Sequence, residues 1–239
     1  MMFFTRVSHL LQPTGYGKKL YTEMITRDKP ITPVQEPAKI VEIHPVYTDY
    51  LDILLENAVI AAHSLPGQFV MIRRWGETEP ILSRPFDIVQ MRPHEGVFRI
   101  IVKVMGKGTT LLKRLKAGDE LLVTGPLGNG IKEFNCSSIG LLTRGVGTAA
   151  VVALAEKAVA EGIKVFSFLS ASTAHRLVCR EYVEDTATEL LIATDDGTEG
   201  FHGDARELLQ PFLSARKVDQ LYTCGSRRFA RYTQEVTDK

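Results

Sequence analysis

A change of pattern near residues 130–137 limits the fold of this chain more than any other feature of its sequence. Before the change, over residues 38–131, short apolar segments are separated by Gly and Pro turns, as in an antiparallel barrel or sandwich. After Cys136, apolar strands alternate with helices, starting with a strand at 138–142 and an alanine-rich helix at 149–160. Such alternation indicates a parallel, doubly wound sheet. The sequence therefore predicts a β domain followed by an α/β domain.

The 239 residues are enough for two domains of about 100–150 residues each. We predict an N-terminal arm at 1–36, a Greek-key antiparallel β-barrel at 37–133 and a doubly wound α/β domain at 134–239. The arm is rich in proline, glycine and basic residues and has little core of its own. Three interpretations of it stay open: a poorly ordered tail, an arm that docks on a partner subunit, and a processed leader.

Composition excludes several functional classes. The net charge is +1, from 29 Lys and Arg against 28 Asp and Glu, which argues against nucleic-acid binding. No apolar run approaches the roughly 20 residues of a transmembrane helix. The three cysteines, Cys136, Cys179 and Cys224, form no C-x-x-C pair, so we expect neither a disulfide framework nor an iron–sulfur site in this chain. The histidines show no metal-ligand spacing. We expect a cytoplasmic protein.

The predicted β domain contains a group of residues suited to a dinucleotide cofactor. Gly106 and Gly108 precede a helix predicted at 109–115, where free backbone N–H groups can hold a pyrophosphate. Arg84 offers a forked cation for the same phosphates, and Phe86 offers a flat face for a ring system. These residues belong to the segments Ser-Arg-Pro-Phe-Asp at 83–87, Ile-Val-Lys-Val-Met-Gly-Lys-Gly-Thr-Thr at 101–110 and Gly-Pro-Leu-Gly-Asn-Gly at 125–130.

The predicted α/β domain carries a second group of residues, each at the end of a strand. Ligands of doubly wound folds bind at the carboxyl ends of the strands. A glycine turn with Gly145 and Gly147 follows the first strand, a Thr-Asp-Asp-Gly loop at 194–197 follows the third, and Cys224-Gly225 ends the last. This arrangement suggests a nucleotide site.

In the order and spacing of its motifs over residues 38–131, the chain resembles the electron-transfer subunits of NADH-linked dihydroorotate dehydrogenase. It also resembles the flavin subunits of anaerobic sulfite reductase and sulfhydrogenase, all of the ferredoxin–NADP reductase superfamily. The resemblance implies an FAD site and a tentative NAD(P) site. The implied FAD residues are Arg84, Pro85, Phe86, Asp87, Ile101, Val102, Lys103, Gly106, Gly108, Thr109 and Thr110. The implied NAD(P) residues are Gly145, Gly147, Thr148, Asp195, Asp196, Gly197, Cys224 and Gly225.

Three positions depart from the family pattern. Asp87 stands where relatives have Ser or Thr near the flavin N5; a carboxylate there either tunes the flavin potential or points away and caps a turn. Arg144 replaces the first glycine of the phosphate turn, and Ala150 replaces a following proline. Arg144 either obstructs the backbone's approach to a phosphate or adds charge for one, including the 2′-phosphate of NADP. Cys224 is either a site residue or a buried strand-end thiol.

The resemblance implies a flavin-dependent NAD(P)H oxidoreductase subunit that passes electrons to an iron–sulfur or other redox partner. Relatives continue into a four-cysteine [2Fe–2S] segment, whereas this chain ends at Lys239, so we expect the electrons to leave directly for a partner. No acid–base catalytic residue is required for hydride transfer. The alternatives are a flavin relay that has lost NAD(P) binding, a flavin-free structural subunit of the same fold, and a stand-alone flavin reductase.

Overall fold

The computed structural model describes residues 32–47, 49–73 and 82–237, which divide into two compact units between Lys132 and Glu133. Most of the predicted arm lies outside the described residues. The first strand begins at Val34, inside the segment assigned to the arm, because residues 34–39 pair with a strand of the β unit. The remaining domain bounds stay predictions.

The β unit is a seven-stranded antiparallel sheet with two short helices. The strand order is β4-β3-β7-β1-β2-β6-β5. The strands are β1 (Val34–Val46), β2 (Tyr50–Glu56), β3 (Phe69–Arg73), β4 (Arg84–Asp87), β5 (Gln90–Arg92), β6 (Val97–Lys103) and β7 (Glu120–Leu127), and the helices are α1 (Ala58–His63) and α2 (Lys107–Leu112).

The sheet curls on itself, because its two edge strands follow each other in sequence. Only Ile88 and Val89 separate β4 from β5. The Ile88 N–H donates to Gln68 O at 3.1 Å beside β3, and the Val89 N–H donates to Arg99 O in β6 at 2.8 Å. These bonds bring opposite edges of the sheet together. The unit is therefore the barrel-like structure that the turn pattern predicted. The sequence favours one strand at 86–91, whereas the structure has the two short strands β4 and β5 there.

Alternating side chains of the β unit fill its interior. Ile53 of β2 pairs with Ile100 of β6, and both are fully buried. The same core contains Phe98 and Val123, and Phe86 packs against it. This apolar core fixes the positions of β4 and β6, which carry predicted cofactor residues.

The second unit is a five-stranded parallel sheet with helices, in strand order β11-β10-β9-β8-β12. The order runs one way from β8 through β9 to β10, and the other way to β12, so the topological switch point lies between β8 and β12. The elements are β8 (Ser138–Arg144), α3 (Ala149–Ala160), β9 (Lys164–Ala171), α4 (Arg180–Thr186), β10 (Glu189–Thr194), β11 (Phe201–His202), α5 (Ala205–Ala215), β12 (Gln220–Cys224) and α6 (Arg227–Thr237), with 3-10 turns at Gly145–Thr148 and Ala174–Arg176.

The two-domain fold class predicted from sequence is confirmed, and α3 has its predicted bounds. The sequence at 175–183 favours a helix, but the structure begins α4 only at Arg180. Leu177, Val178 and Cys179 are buried in the connection before it, and Cys179 adopts φ +62°, which is not helical. None of the described helices combines the length and the apolar character that crossing a bilayer requires.

Candidate functional site

Arg84 and Gly108 meet in the β unit. Arg84 lies on β4 opposite Ile72, and its side chain passes over the first turn of α2. A Cβ at Gly108 would lie 3.1 Å from the Arg84 Nε and 3.2 Å from its Cζ, closer than most such contacts. The glycine therefore leaves room for the guanidinium.

The Arg84 Nη1 atom is buried and has no hydrogen-bond partner among the described residues. A buried donor on a charged group is costly when unsatisfied, and most such groups in native proteins have a partner. A guanidinium held in this way can pair with a phosphate or carboxylate of a ligand. The residues present therefore fit the pyrophosphate of a dinucleotide cofactor.

The turn before α2 differs from the expectation. The Thr109 Oγ1 atom accepts from Met105 N at 2.9 Å and from Gly106 N at 3.2 Å. The prediction of a free Gly106 N–H is therefore wrong, because the threonine satisfies it. Gly108 lies inside α2 rather than before it, since the helix starts at Lys107. A Cβ at Gly106 would meet nothing within 4 Å, so this glycine borders open space.

The other predicted FAD residues are distributed around this contact. Phe86 is half-buried against the core, and Asp87 lies next to it at the end of β4, where burial raises the pKa of its carboxyl. β4 also contacts β6, which carries the buried Ile101 and Val102. Pro85 and Thr110 are exposed, and Lys103 is half-buried. The structure joins Arg84 to Gly108 directly and places the remaining residues on β4, on β6 and at α2.

In the α/β unit, Arg144 forms a bidentate ion pair with Asp195. Its Nη1 lies 3.0 Å from Asp195 Oδ1 and its Nη2 lies 2.5 Å from Oδ2. Sequence reasoning identified both positions but missed the pair, because β8 and β10 lie about 50 residues apart and meet only through the sheet. The charge of Arg144 is thus matched within the protein.

The glycine turn after β8 packs against the turn after β12. A Cβ on Gly147 would overlap the backbone of Cys224 and Gly225, and Gly225 itself adopts φ +114° against Arg144 O. Thr148 is fully buried, and its hydroxyl bonds to Thr143 Oγ1 at 3.2 Å. Gly147 and Gly225 therefore bring the backbones of the two turns into close contact at the switch point. A Cβ on Gly145 would meet nothing within 4 Å, so that residue borders open space.

The loop after β10 is shaped by its own polar groups. The Asp196 carboxylate accepts from the Thr198 hydroxyl at 2.7 Å and from its N–H at 3.1 Å, and these bonds hold the pKa of Asp196 below its ordinary value. Gly197 adopts φ +69° beside His202. Cys224 is half-buried at the end of β12. Within the described ranges, no three His, Cys, Asp or Glu side chains are grouped as metal ligands.

Comparison with known proteins agrees with this geometry. Residues 47–131 match the family described as "Oxidoreductase FAD-binding domain". The dihydroorotate dehydrogenase B (NAD(+)) electron transfer subunit of Desulforamulus reducens is 31% identical over 189 residues, covering 79% of this chain and 72% of the relative. The electron transfer subunit homolog of Thermotoga maritima is 31% identical over 188 residues, covering 78% of this chain and 65% of the relative.

Solved structures are similar over both units. One, from work on flavin-based electron bifurcation by the NADH-dependent reduced ferredoxin-NADP oxidoreductase, aligns with a TM-score of 0.76 at 29% identity, covering 84% of this chain and 72% of that one. The ferredoxin reductase in carbazole 1,9a-dioxygenase aligns with a TM-score of 0.72 at 21% identity, covering 88% and 67%. The second likeness shows the fold alone.

Proposed function

This chain belongs to the family of dihydroorotate dehydrogenase B electron-transfer subunits, and we propose from this premise how its residues hold FAD and receive electrons. As a member, it is an FAD-containing oxidoreductase subunit of the ferredoxin-reductase type, working in a multi-subunit enzyme. It passes electrons between NAD(P)H and a partner redox subunit.

The proposal depends mainly on the surroundings of Arg84. Its buried and unpartnered Nη1 atom, over a glycine that leaves it room, supports a role in binding the FAD pyrophosphate. Around it, we assign Phe86 to the flavin ring and the backbone of residues 101–103 to the ribityl and adenosine portion. Gly106 borders open space beside them. Thr109 already satisfies the Gly106 N–H, so at this turn we assign the phosphates to Arg84 together with the backbone of Gly108 and Thr109.

Bound FAD supplies the redox chemistry, accepting two electrons as a hydride and releasing them singly. The chain's own residues bind and orient it. Arg84 neutralises phosphate charge, the barrel core fixes β4 and β6, and the Asp87 carboxyl lies half-buried beside Phe86. No side chain has to move a proton for hydride transfer itself.

The nucleotide donor is assigned to the carboxyl edge of the parallel sheet, at Gly145, Gly147, Thr148, Asp195, Asp196, Gly197, Cys224 and Gly225. Support comes from the switch point between β8 and β12, where doubly wound folds bind dinucleotides. Thr148 acts there through packing, because its hydroxyl is buried against Thr143.

We assign the electron acceptor to an iron–sulfur or other redox protein in the same complex, in the cytoplasm. Arg227, Arg228 and Arg231 are exposed on α6, while Phe229 and Thr233 on the same helix are buried. This exposed basic face suits an acidic partner.

Purification of the native chain with its bound partners tests the proposal. We expect about one FAD per chain, released by denaturation and identified by mass, together with a co-purifying redox subunit. A folded, colourless chain that does not take up added FAD would contradict it. A chain that carries FAD but elutes alone as an active monomer would contradict the partner assignment only.

One observation favours a second candidate, a flavin relay between protein partners that does not use NAD(P)H. Arg144 occupies the start of the phosphate turn and is tied to Asp195, so this turn offers no free cation from that residue. A flavin that ignores NADH and NADPH but is bleached by a reduced ferredoxin-like donor is the result this candidate predicts.

A further inference from the structure

The Arg144–Asp195 pair crosses the end of β9. Arg144 lies opposite Ser170 in the β8–β9 pairing, and the Asp195 N–H donates to Ala171 O at 3.1 Å. Since β8 and β10 flank β9, the guanidinium and carboxylate meet over the last residues of β9. The Arg144 side chain therefore extends away from β12 and the switch point.

The end of β9 is the place where a doubly wound fold distinguishes the two pyridine nucleotides. The ribose 2′ position is read about 20 residues after the glycine turn, by a carboxylate that accepts from the hydroxyl of NAD or by an arginine that holds the phosphate of NADP. Here an arginine and a carboxylate occupy this place together, bound to each other.

The exposure of the two side chains decides which of them faces a ligand. The Arg144 side chain is 18% exposed and that of Asp195 is 48% exposed. The carboxylate thus presents its free side outward, and the guanidinium is committed to it. A second arginine near this edge is also paired, since Arg180 contacts Glu184 at 2.6 Å and also contacts Glu199.

We propose that Asp195 makes this edge selective for NADH over NADPH by holding Arg144 in an ion pair. The inference rests on the proposed function, because it requires a pyridine nucleotide at this edge. A 2′-phosphate would meet the negative carboxylate and find the nearby guanidinium already neutralised. A ribose hydroxyl donates to a carboxylate oxygen without breaking the pair, since each oxygen accepts more than one hydrogen bond.

Equilibrium binding of the oxidised nucleotides tests the inference without redox turnover. Titration calorimetry of the full chain loaded with FAD gives Kd for NAD+ and NADP+ in the wild type, Asp195→Asn, Arg144→Ala and the double variant. The wild type is expected to bind NAD+ more tightly. Asp195→Asn frees the guanidinium and is expected to move the ratio of the two Kd values toward NADP+ by about tenfold.

The other variants separate selectivity from a structural effect. The double variant is expected to lose the gain for NADP+, because no arginine remains to bind the phosphate. Arg144→Ala alone leaves an unpaired carboxylate and is expected to widen the preference for NAD+. Higher ionic strength is expected to shrink all these differences. Glu189→Gln is the matched control, since it breaks an ion pair with Arg216 at the opposite end of β10 and is expected to leave the ratio unchanged.

A wild type that prefers NADP+ would overturn this inference and leave the proposed function standing. The same holds if Asp195→Asn has the same ratio of the two Kd values as the wild type. Equal weakening of both nucleotides by Asp195→Asn, with or without Arg144, would also overturn it, because Asp195 would then act as a general contact. A wild type that binds neither nucleotide would reject the proposed nucleotide donor and the inference with it.

Discussion

The two units each place an arginine beside a glycine-containing turn, and the two arginines differ in what they bind. In the β unit, Arg84 keeps a buried Nη1 atom for which the described residues offer no partner. In the α/β unit, Arg144 has both terminal nitrogens on the Asp195 carboxylate. We propose that the first binds a ligand through this atom, whereas the second is held within the protein by a carboxylate.

The glycines of the two units differ in the same way. Gly108 makes room for a side chain, the Arg84 guanidinium, whereas Gly147 makes room for backbone, that of Cys224 and Gly225. A glycine turn is therefore not by itself a sign of phosphate binding. In the β unit the glycine gives space to a cationic side chain, and in the α/β unit it lets two backbone turns pack closely.

The largest effect is expected where glycine packs against backbone. Gly147→Ala places a Cβ on the Gly225 backbone, which cannot move as a flexible side chain can, and should cost roughly 3 kcal/mol of unfolding free energy. Gly145→Ala has open space but φ +53°, and should cost only about 1 kcal/mol. Urea unfolding followed by circular dichroism gives both values. Equal costs would show that the packing difference between these glycines is unimportant.

The next effect concerns cofactor affinity. Arg84→Ala removes a charge-assisted contact to phosphate and should raise the Kd for FAD by about 10- to 100-fold. Arg84→Lys keeps the charge but loses the forked pair of donors, so its Kd for FAD should lie between those of the wild type and Arg84→Ala. Arg114→Ala, which removes an exposed arginine of the same unit, is the control. Titration of the flavin-free protein with FAD measures each Kd. If Arg84→Ala binds FAD as tightly as the wild type does, Arg84 does not hold the cofactor and the proposed difference between the two arginines is wrong.

A smaller effect on the same contact comes from Gly108→Ala. The added Cβ forces the Arg84 guanidinium to shift by a few tenths of an ångström, so we expect a Kd for FAD raised by about threefold, or less than 1 kcal/mol. The stability of the flavin-free protein should change little, since a flexible side chain can give way. A large loss of stability without a change in Kd would mean that Gly108 serves packing, as Gly147 does.

The smallest effect belongs to Asp87. Burial raises the pKa of its carboxyl above 3.8, so the folded protein binds this proton more tightly than the unfolded chain does. Stability therefore falls as pH rises through the folded pKa, and ionised Asp87 is a cost at neutral pH. Asp87→Asn should raise the melting temperature by about 1–3 °C at pH 7, with a smaller gain toward pH 4. Thermal melts across this range check the sign, and a gain that grows toward low pH would contradict it.

Sequence reasoning succeeded where local pattern and tertiary structure agree. The helix α3 has its predicted bounds because it is rich in alanine, contains no Gly or Pro, and is closed by Gly162 at φ +75°. The six-residue α1 was missed: its signal is the Asn57 side chain, which accepts from Ile60 N, and a helix of this length has little periodicity. The two departures at the phosphate turn, Arg144 and Ala150, were also noted from sequence.

The parts that sequence could not supply depend on contacts made by the sheet. The break between β4 and β5 exists because Ile88 and Val89 join opposite edges of the curled sheet. The Arg144–Asp195 pair exists because two strand ends lie on either side of β9. The orphaned Nη1 of Arg84 is likewise visible only once its surroundings are known. In each case the residue could be identified from the sequence, whereas its surroundings could not be predicted.

The visible spectrum of the native chain under anaerobic conditions, recorded before and after NADH is added, tests the central claim most directly. We expect flavin absorption bands that bleach rapidly with NADH and return when the partner acceptor is supplied. Flavin bands that NADH leaves unchanged would contradict the assignment of the α/β unit as the nucleotide site. A spectrum without flavin bands would contradict the account as a whole.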